Sequence, residues 1–318
     1  MPPSRGRALL FIWLTLLLGG ASARPMPPKT VLVVKSRDLA PYNQAVDGLK
    51  KTFASRGARV QLREVELPSD SSKEEAFFRS IERNGPDLLV TVGTQATLTV
   101  TRRMKSAPVV FSLVLFSGDS DSLLKRRPPN VTGAAMDIPI GLQFQRMREI
   151  IPDLKRVGVF YNPQNSLGEI ERAREAAQAG GLQLVEIPVS SEAEVLQQIE
   201  GLKGKVDVLW SVADSTVFTP RSVDSILLLT LRDGIPFVGL SPSFVKAGAL
   251  LSFSCDYEDV GSQSAEQALE ILSGRSPADV SVAFPRRVSL YLNMNTARAI
   301  HLEIPLAIQS QSHVEFRR

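Results

Sequence analysis

The chain has 318 residues, a single cysteine and nearly balanced charge, with 37 lysines and arginines against 33 aspartates and glutamates. Because the basic residues are interspersed with acidic ones and form no stripe, the sequence pI of about 9.3 does not indicate nucleic-acid binding. A lone Cys255 excludes an internal disulfide, so the fold must depend on its core. The length is sufficient for such a core and predicts two domains.

The first residues have the pattern of a signal peptide. Arg5 and Arg7 precede an apolar run over residues 8–18, and small residues follow at 21–23. The apolar run is too short for a stable bilayer span, which takes about 20 residues. We therefore predict a leader over residues 1–23, cleaved after Ala23, with a retained N-terminal anchor as the alternative. Cys255 lies far from the cleavage site, so we expect no lipid-bearing cysteine and a protein free in the periplasm.

From residue 30 onward, short β-branched runs alternate with longer amphipathic segments, which is typical of parallel sheets wrapped by helices. Ten predicted strands cover residues 30–34, 60–65, 87–92, 108–112, 131–136, 156–161, 182–187, 206–212, 236–240 and 249–253, and a last one covers 288–293. Predicted helices include residues 41–56, 72–83, 142–151, 167–179 and 191–202. Ten strands would be unusual in one sheet, so we expect two sheets of about five.

Residues 59–112 and 182–241 form an internal repeat. The aligned pairs are VQLREVELPSDSSKEEAFFRSI with LQLVEIPVSSEAEVLQQI, PDLLVTVGTQAT with VDVLWSVADSTV, and APVVFS with IPFVGLS. The second pair places Asp87 opposite Asp207 and Thr94 opposite Asp214. We infer two similarly wound lobes.

The lobe limits follow from the repeat and from the lack of a Gly/Ser-rich spacer. Crossing segments are therefore expected near residues 133–139 and 252–257, with residues 288–293 as a possible third. We predict an N-terminal lobe of residues 29–136 with 254–280, a C-terminal lobe of residues 137–253 with 281–306, and a tail of residues 307–318.

The candidate site is sought at strand ends, because ligands of parallel α/β sheets bind outside the carboxyl ends of the strands. After the third predicted strand, Thr94 and Gln95 follow a glycine and open a helix, a pattern suited to hold an anion or a carbonyl oxygen. A role as a plain helix cap explains Thr94 about as well as ligand binding does.

At the equivalent place in the second repeat stand Asp214, Ser215 and Thr216, where capping is again the alternative. We predict that Thr94 and Asp214 face each other across one cleft. Other polar or aromatic residues near predicted strand ends complete the candidate site: Ser36, Tyr42, Ser112, Asp137, Tyr161, Asn162 and Ser241.

The sequence carries no positive pattern for catalysis. Its two histidines, His301 and His313, and its single cysteine offer neither a zinc site nor a His-dependent nucleophile. Neither G-x-G-x-x-G nor G-x-x-x-x-G-K-[ST] occurs, so the sequence carries neither of these nucleotide-binding motifs. We expect a binding protein that uses no metal and no cofactor. Carboxylate-only catalysis, as in a racemase with one acid-base group in each lobe, stays open.

Four stretches carry a resemblance to a known family: NVTGAAMDIPIGLQFQRMREIIPDLKRVGVFYNPQNS, DVLWSVADSTV, PFVGLSPSFVKAGALLSFSCDYEDVGSQSAEQALEILSGRSPADV and NMNTARAIHLEIP. Together they resemble the ABC-transporter substrate-binding proteins of the type I periplasmic-binding fold, in the group that includes tryptophan- and phenylalanine-binding lipoproteins. The resemblance covers residues 30 to about 306.

The resemblance implies two Rossmann-like lobes, joined by three crossovers, that close on an amino acid or a similar small ligand. It also implies that the candidate residues at the strand ends face that ligand, and that an ABC permease in the inner membrane is the partner. Ser215 stands where family members commonly carry asparagine. We expect a monomeric carrier; a periplasmic sensor subunit for a membrane receptor or kinase would use the same cleft.

Overall fold

The computed structural model describes residues 27–116 and 126–315, and the predicted leader of residues 1–23 lies outside them. The strands are β1 (Lys29–Lys35), β2 (Val60–Glu66), β3 (Leu88–Val92), β4 (Val109–Val114), β5 (Val131–Ala135), β6 (Arg156–Tyr161), β7 (Gln183–Pro188), β8 (Val208–Trp210), β9 (Phe237–Gly239), β10 (Leu251–Cys255), β11 (Val288–Asn293) and β12 (His313–Glu315). No helix in these described ranges has the length and apolar character needed to cross a membrane.

The helices connect these strands in the alternating order that the sequence predicts. They are α1 (Ala40–Ser55), α2 (Glu74–Asn84), α3 (Thr94–Arg103), α4 (Ile140–Ile150), α5 (Pro163–Ala179), α6 (Glu192–Ile199), α7 (Pro220–Asp233), α8 (Pro242–Ala247), α9 (Tyr257–Leu272), α10 (Met294–Ala299) and α11 (Leu306–Ser310). Short 3-10 turns lie at Ser71–Lys73 and Pro277–Asp279.

Two sheets carry the fold. The first has the strand order β2-β1-β3-β4-β5, and the second has the order β7-β6-β8-β9-β10-β11-β12. The first five strands of the second sheet therefore repeat the order of the first sheet, and all pairs among these ten strands are parallel. The predicted α/β architecture of two similarly wound units is confirmed. We call the units built on these sheets the first lobe and the second lobe.

Strand β11 departs from the parallel pattern. It pairs antiparallel with β10, with Val288 opposite Cys255, and β12 then pairs parallel with β11. The chain leaves the second lobe at the carboxyl end of β10 and re-enters it beside the same end, so β11 has to run in the opposite direction.

Each sheet is covered by helices on both faces, as the period of two in a strand requires. In β1, Val31 and Val33 belong to an apolar cluster with α1 and α9, whereas Val34 belongs to one with α2 and α3. The second lobe divides its core in the same way. The cores on both faces hold the carboxyl ends of the strands in fixed positions.

Helix α5 begins four residues before the predicted start at Leu167. The Asn162 side chain accepts a hydrogen bond from the Gln164 backbone N–H at 2.9 Å, and Pro163 occupies the first helical position. An asparagine cap followed by proline is a strong helix start.

The chain passes between the lobes three times: between β5 and α4, between β10 and α9, and between Ala283 and β11. Helix α9 follows the second-lobe strand β10 but packs on the first-lobe helix α1. Gly48 and Gly261 permit this close packing, because a Cβ on either would lie 1.9 Å from a backbone carbonyl oxygen of the other helix.

The lobe limits given from the sequence stay a prediction. Two contacts in the structure join residues to a sheet that these limits do not assign them to. Ala283 still bridges Ala134 of the first sheet, although residues 281–306 are assigned to the C-terminal lobe. His313–Glu315, within the predicted tail, forms the edge strand of the second sheet.

Candidate functional site

A cavity of about 530 Å³ lies where the two lobes and their crossovers meet. The end of β4 contributes Leu115 and Phe116 from the first lobe, and the carboxyl ends of β8, β9 and β10 contribute the second-lobe side. The crossovers and the residues that flank them add residues 136–140, Cys255, Tyr257 and Phe284. The cavity therefore lies at the strand ends, where ligands of parallel α/β proteins bind.

The walls of the cavity are mainly apolar, with a few polar groups. Its larger apolar side chains are Phe116, Met136, Ile138, Ile140, Trp210, Leu240, Phe253 and Phe284. Its polar side chains are Asp137, Gln143, Glu169, Arg172, Ser211, Ser241 and Ser254. A concave apolar site with a few directed polar groups is the usual form of a small-molecule site.

Phe116 links the lobes at the edge of this cavity. Its backbone N–H donates to both carboxylate oxygens of Asp137 in the first crossover, at 3.1 and 3.0 Å. Its carbonyl oxygen accepts a hydrogen bond from the Arg172 guanidinium of α5 at 3.0 Å, and α5 belongs to the second lobe. The buried Phe116 ring packs edge-on against Phe284 of the third crossover. One residue of the first lobe therefore contacts two crossovers and the opposite lobe.

Several of the predicted site residues lie at or beside the start of α3. The Ser36 hydroxyl donates to the Val92 carbonyl at 3.0 Å and accepts from the Ala96 backbone N–H at 2.8 Å. Tyr42 lies against Gly93, whose φ of 90° and missing Cβ allow the Tyr42 ring to lie there. Burial raises the pKa of the Tyr42 phenol. Ser36 thus satisfies one of the N–H groups that would otherwise be open to an anion.

Thr94 and Gln95 occupy the first two positions of α3. The Thr94 hydroxyl accepts a weak hydrogen bond from the backbone N–H of Leu115, at 3.4 Å, and Leu115 lines the cavity. Gln95 is exposed, and its amide reaches the Thr99 hydroxyl at 3.5 Å. Thr94 therefore lies directly behind the cavity wall.

Strand β4 ends in a bulge beside this turn. The register shifts between Ser112 and Val114, and Leu113 between them has a φ of 54°. The Ser112 hydroxyl is buried, with no hydrogen-bond partner in the described part of the chain. Bulges of this kind redirect a strand end, and here the redirected chain leads to Leu115 and Phe116.

Asp214 is the centre of a buried polar network in the second lobe. Its side chain is 2% exposed. Its carboxylate accepts hydrogen bonds from the Asn162 N–H at 2.7 Å, the Ser166 hydroxyl at 2.8 Å and the Thr216 N–H at 2.9 Å. A further contact from the Asn165 amide measures 3.4 Å. The four contacts tie the end of β6 and the start of α5 to the loop after β8.

The remaining predicted residues lie around the same strand ends. The Tyr161 hydroxyl donates to Glu186 at 3.4 Å, and burial and the Glu186 charge raise the pKa of Tyr161. The Thr216 hydroxyl accepts from Asn162 and Asn165 amides at 3.1 and 3.0 Å, and Ser215 is exposed. Ser241 lies at the start of α8, with its hydroxyl 2.7 Å from that of Ser243.

Of the residues singled out from the sequence, Asp137 and Ser241 line the cavity. Thr94 and Asp214 do not line it; each is adjacent to a lining residue, Leu115 and Ala213 respectively. That Thr94 and Asp214 meet a ligand across the cleft stays a prediction. Sequence reasoning missed the aromatic walls and the α5 pair Glu169 and Arg172. Of the lining aromatic residues, Phe253 and Tyr257 fall in the predicted crossing segment 252–257, and that position was the available signal for them.

Among residues 27–116 and 126–315, no group of three or more histidine, cysteine, aspartate or glutamate side chains is placed to hold a metal ion.

The fold and the cavity define a two-lobed binding protein, with its ligand space at the junction of two α/β units. The family model for "ABC transporter substrate binding protein" matches residues 35–313. The chain belongs to this family, whose members are binding proteins and not enzymes.

Known relatives agree with the family. A tyrosine-binding protein of Clostridioides difficile strain R20291 is 25% identical over 221 residues, which are 68% of this chain and 64% of that protein. The match therefore spans a little less than two thirds of that relative's length.

Two solved structures are each 21% identical to this chain. Each match covers 90% of this chain and 99% of the solved one. One is the ligand-free, open structure of a substrate binding protein with adhesive properties from Clostridium difficile, with a TM-score of 0.73. The other is an ABC domain in complex with L-Trp from Streptococcus pneumonia, with a TM-score of 0.63. At this level of identity the two structures are evidence for the fold.

Proposed function

We propose that this chain is the periplasmic substrate-binding component of an ABC importer, and that it binds an amino acid or related compound with a large apolar side chain. The observation that carries the proposal is the cavity of about 530 Å³ between the lobes, with aromatic walls and a few charged groups. Burial of an aromatic side chain against such walls contributes most of the binding free energy, while the charged groups orient the ligand.

The relatives support the same ligand class. One is a tyrosine-binding protein, and one solved structure holds L-Trp. In this proposal Asp137, Glu169 and Arg172 meet the charged end of the ligand, and the strand-end residues Thr94 and Asp214 hold the loops behind the cavity wall. Closure of the lobes about the three crossovers would then enclose the ligand.

Ligand binding is tested on the exported chain with the twenty amino acids, by thermal shift followed by isothermal titration. At a ligand concentration 100 times Kd, binding stabilises the folded state by about 2.7 kcal/mol, which raises Tm by several degrees. Phe284→Ala, at the cavity wall, should weaken binding. Leu228→Ala on α7, whose side chain is 66% exposed, is the matched control and should not.

If no amino acid raises Tm, the proposed ligand class is wrong. Native mass spectrometry of the protein as purified would then identify whatever small molecule it retains.

The importer role, the permease partner and the monomeric state are parts of the same proposal. Cells that lack this chain should lose uptake of the ligand, and complementation with the wild-type chain should restore it. A sensor subunit would leave uptake unchanged and would alter gene expression in response to the ligand. Light scattering of the exported chain should give the mass of one copy.

A further inference from the structure

Trp210 forms part of the cavity wall, and its indole N–H is bound by one polar side chain that also lines the cavity. The indole N–H donates to the Gln143 side-chain oxygen at 3.0 Å. Trp210 is 2% exposed, and its ring packs edge-on against Phe144 at a centroid distance of 5.2 Å. A buried indole N–H needs an acceptor, and Gln143 supplies it.

The other end of the same amide reaches the first crossover. The Gln143 side-chain nitrogen donates to the Ile138 carbonyl at 2.9 Å. An indole N–H can only donate and a carbonyl oxygen can only accept, so the two partners together fix the orientation of the amide. Gln143 therefore links the cavity wall in β8 to the segment that joins the lobes, and Ile138 also lines the cavity.

We propose that Gln143 is a positioning residue that determines the size of ligand the cavity accepts, by fixing the Trp210 ring and holding that ring to the first crossover. The part of this inference that concerns ligands rests on the proposed function. The part that concerns Trp210 does not. A Trp210 ring without its acceptor would lose its single orientation, and the shape of the apolar wall would change with it.

The experiment uses the exported chain carrying Trp13→Phe, so that Trp210 is the one tryptophan of the chain whether or not the leader is removed. Gln143→Met keeps the length of the side chain and removes both hydrogen bonds. Gln143→Glu keeps an acceptor for the indole and removes the donor to Ile138. Gln145→Met is the matched control, because Gln145 is exposed on the same helix.

The first readout is the tryptophan band in the near-ultraviolet circular dichroism of the ligand-free protein, which reports a fixed ring environment. Gln143→Met should lose most of this band, Gln143→Glu should keep it, and Gln145→Met should match the parent. An unchanged band in Gln143→Met, with the far-ultraviolet spectrum intact, would overturn the positioning role whatever the ligand is.

The second readout is the Kd for L-tryptophan, L-tyrosine, L-phenylalanine and L-leucine. In Gln143→Met, the Kd of the tightest probe should rise about tenfold and the preference between probes should shrink, while Gln145→Met should change each Kd less than about twofold. Equal Kd values in Gln143→Met and the parent would overturn the specificity role. If the parent binds none of the four, the proposed ligand class fails and the dichroism still decides the role of Gln143.

Discussion

Asp87 and Asp207 make the same contact in the two lobes. The Asp87 carboxylate accepts a hydrogen bond from the Thr30 N–H of β1 at 2.7 Å, and the Asp207 carboxylate accepts one from the Arg156 N–H of β6, also at 2.7 Å. Each aspartate precedes the third strand of its lobe and joins it to the start of the first. The sequence repeat that pairs these residues is thus matched by an equivalent structural role.

The two carboxylates should stabilise the folded protein at neutral pH and lose that contribution in acid. The Lys29 ammonium and the Thr30 N–H lower the pKa of Asp87. Burial raises the pKa of Asp207, but hydrogen bonds from Arg156 and Lys155 outweigh burial and leave the pKa below its ordinary value. A lowered folded-state pKa gives stabilisation that is full above the unfolded-state value, about 3.9, and is lost as pH falls through the folded-state pKa.

The measurement is the free energy of unfolding by urea between pH 7 and pH 2.5. Asp87→Asn and Asp207→Asn should be less stable than the parent at pH 7, and their stability should fall less steeply below about pH 4. Asp224→Asn, at an exposed position on α7, should follow the parent curve. Parallel curves for all four proteins would contradict the prediction.

Asp214→Ala should mainly reduce stability. The substitution leaves the buried Asn162 N–H and Ser166 hydroxyl without an acceptor, and each such group costs about 1 to 3 kcal/mol. We expect a loss of about 2 to 4 kcal/mol in the free energy of urea unfolding. Ser215→Ala, at the exposed neighbouring position, should lose less than about 0.5 kcal/mol.

The opposite result for Asp214→Ala would be as informative. Unchanged stability with a large rise in the Kd of the ligand would place the carboxylate in the binding site, as the alignment of Thr94 with Asp214 predicts.

Gly48→Ala and Gly261→Ala should each separate α1 from α9. The added Cβ would meet the Glu258 carbonyl oxygen in the first case and the Ala45 carbonyl oxygen in the second, both at 1.9 Å. Backbone atoms cannot give way without moving a helix, so we expect a loss of about 2 to 3 kcal/mol for each variant in urea unfolding. Gly141→Ala in α4, where a Cβ would meet nothing within 4 Å, is the control and should lose no stability. Equal stability of all three variants would contradict the packing.

The fold could be predicted from the sequence for two reasons. The alternation of strands and helices is a local pattern, and the repeat can be read by comparing two stretches of the chain. A cleft between two lobes at the strand ends was also expected from the sequence. Most of the side chains that form the cavity walls could not be predicted, because they come from crossovers and from facing lobes and meet only after the lobes are placed. Ser36 and Asp214 show a second reason. Both look like ligand groups at strand ends, yet the hydroxyl and the carboxylate are engaged by N–H groups of neighbouring helix starts and loops. Capping and ligand binding use the same residue types, so sequence alone does not separate them.

Cys255 should react rapidly with thiol reagents only when the protein unfolds. It is 6% exposed, lies at the end of β10 and lines the cavity, and burial raises its pKa to about 12. The thiolate is the reactive form, so its fraction in the folded protein stays very small between pH 7 and pH 9. With Ellman's reagent at pH 8, we expect a slow rate in native buffer and one rapid equivalent in guanidinium chloride, which is the internal control. A rapid native rate that falls on addition of ligand would instead show that the cavity admits the reagent to this thiol, and that the burial of Cys255 depends on occupancy.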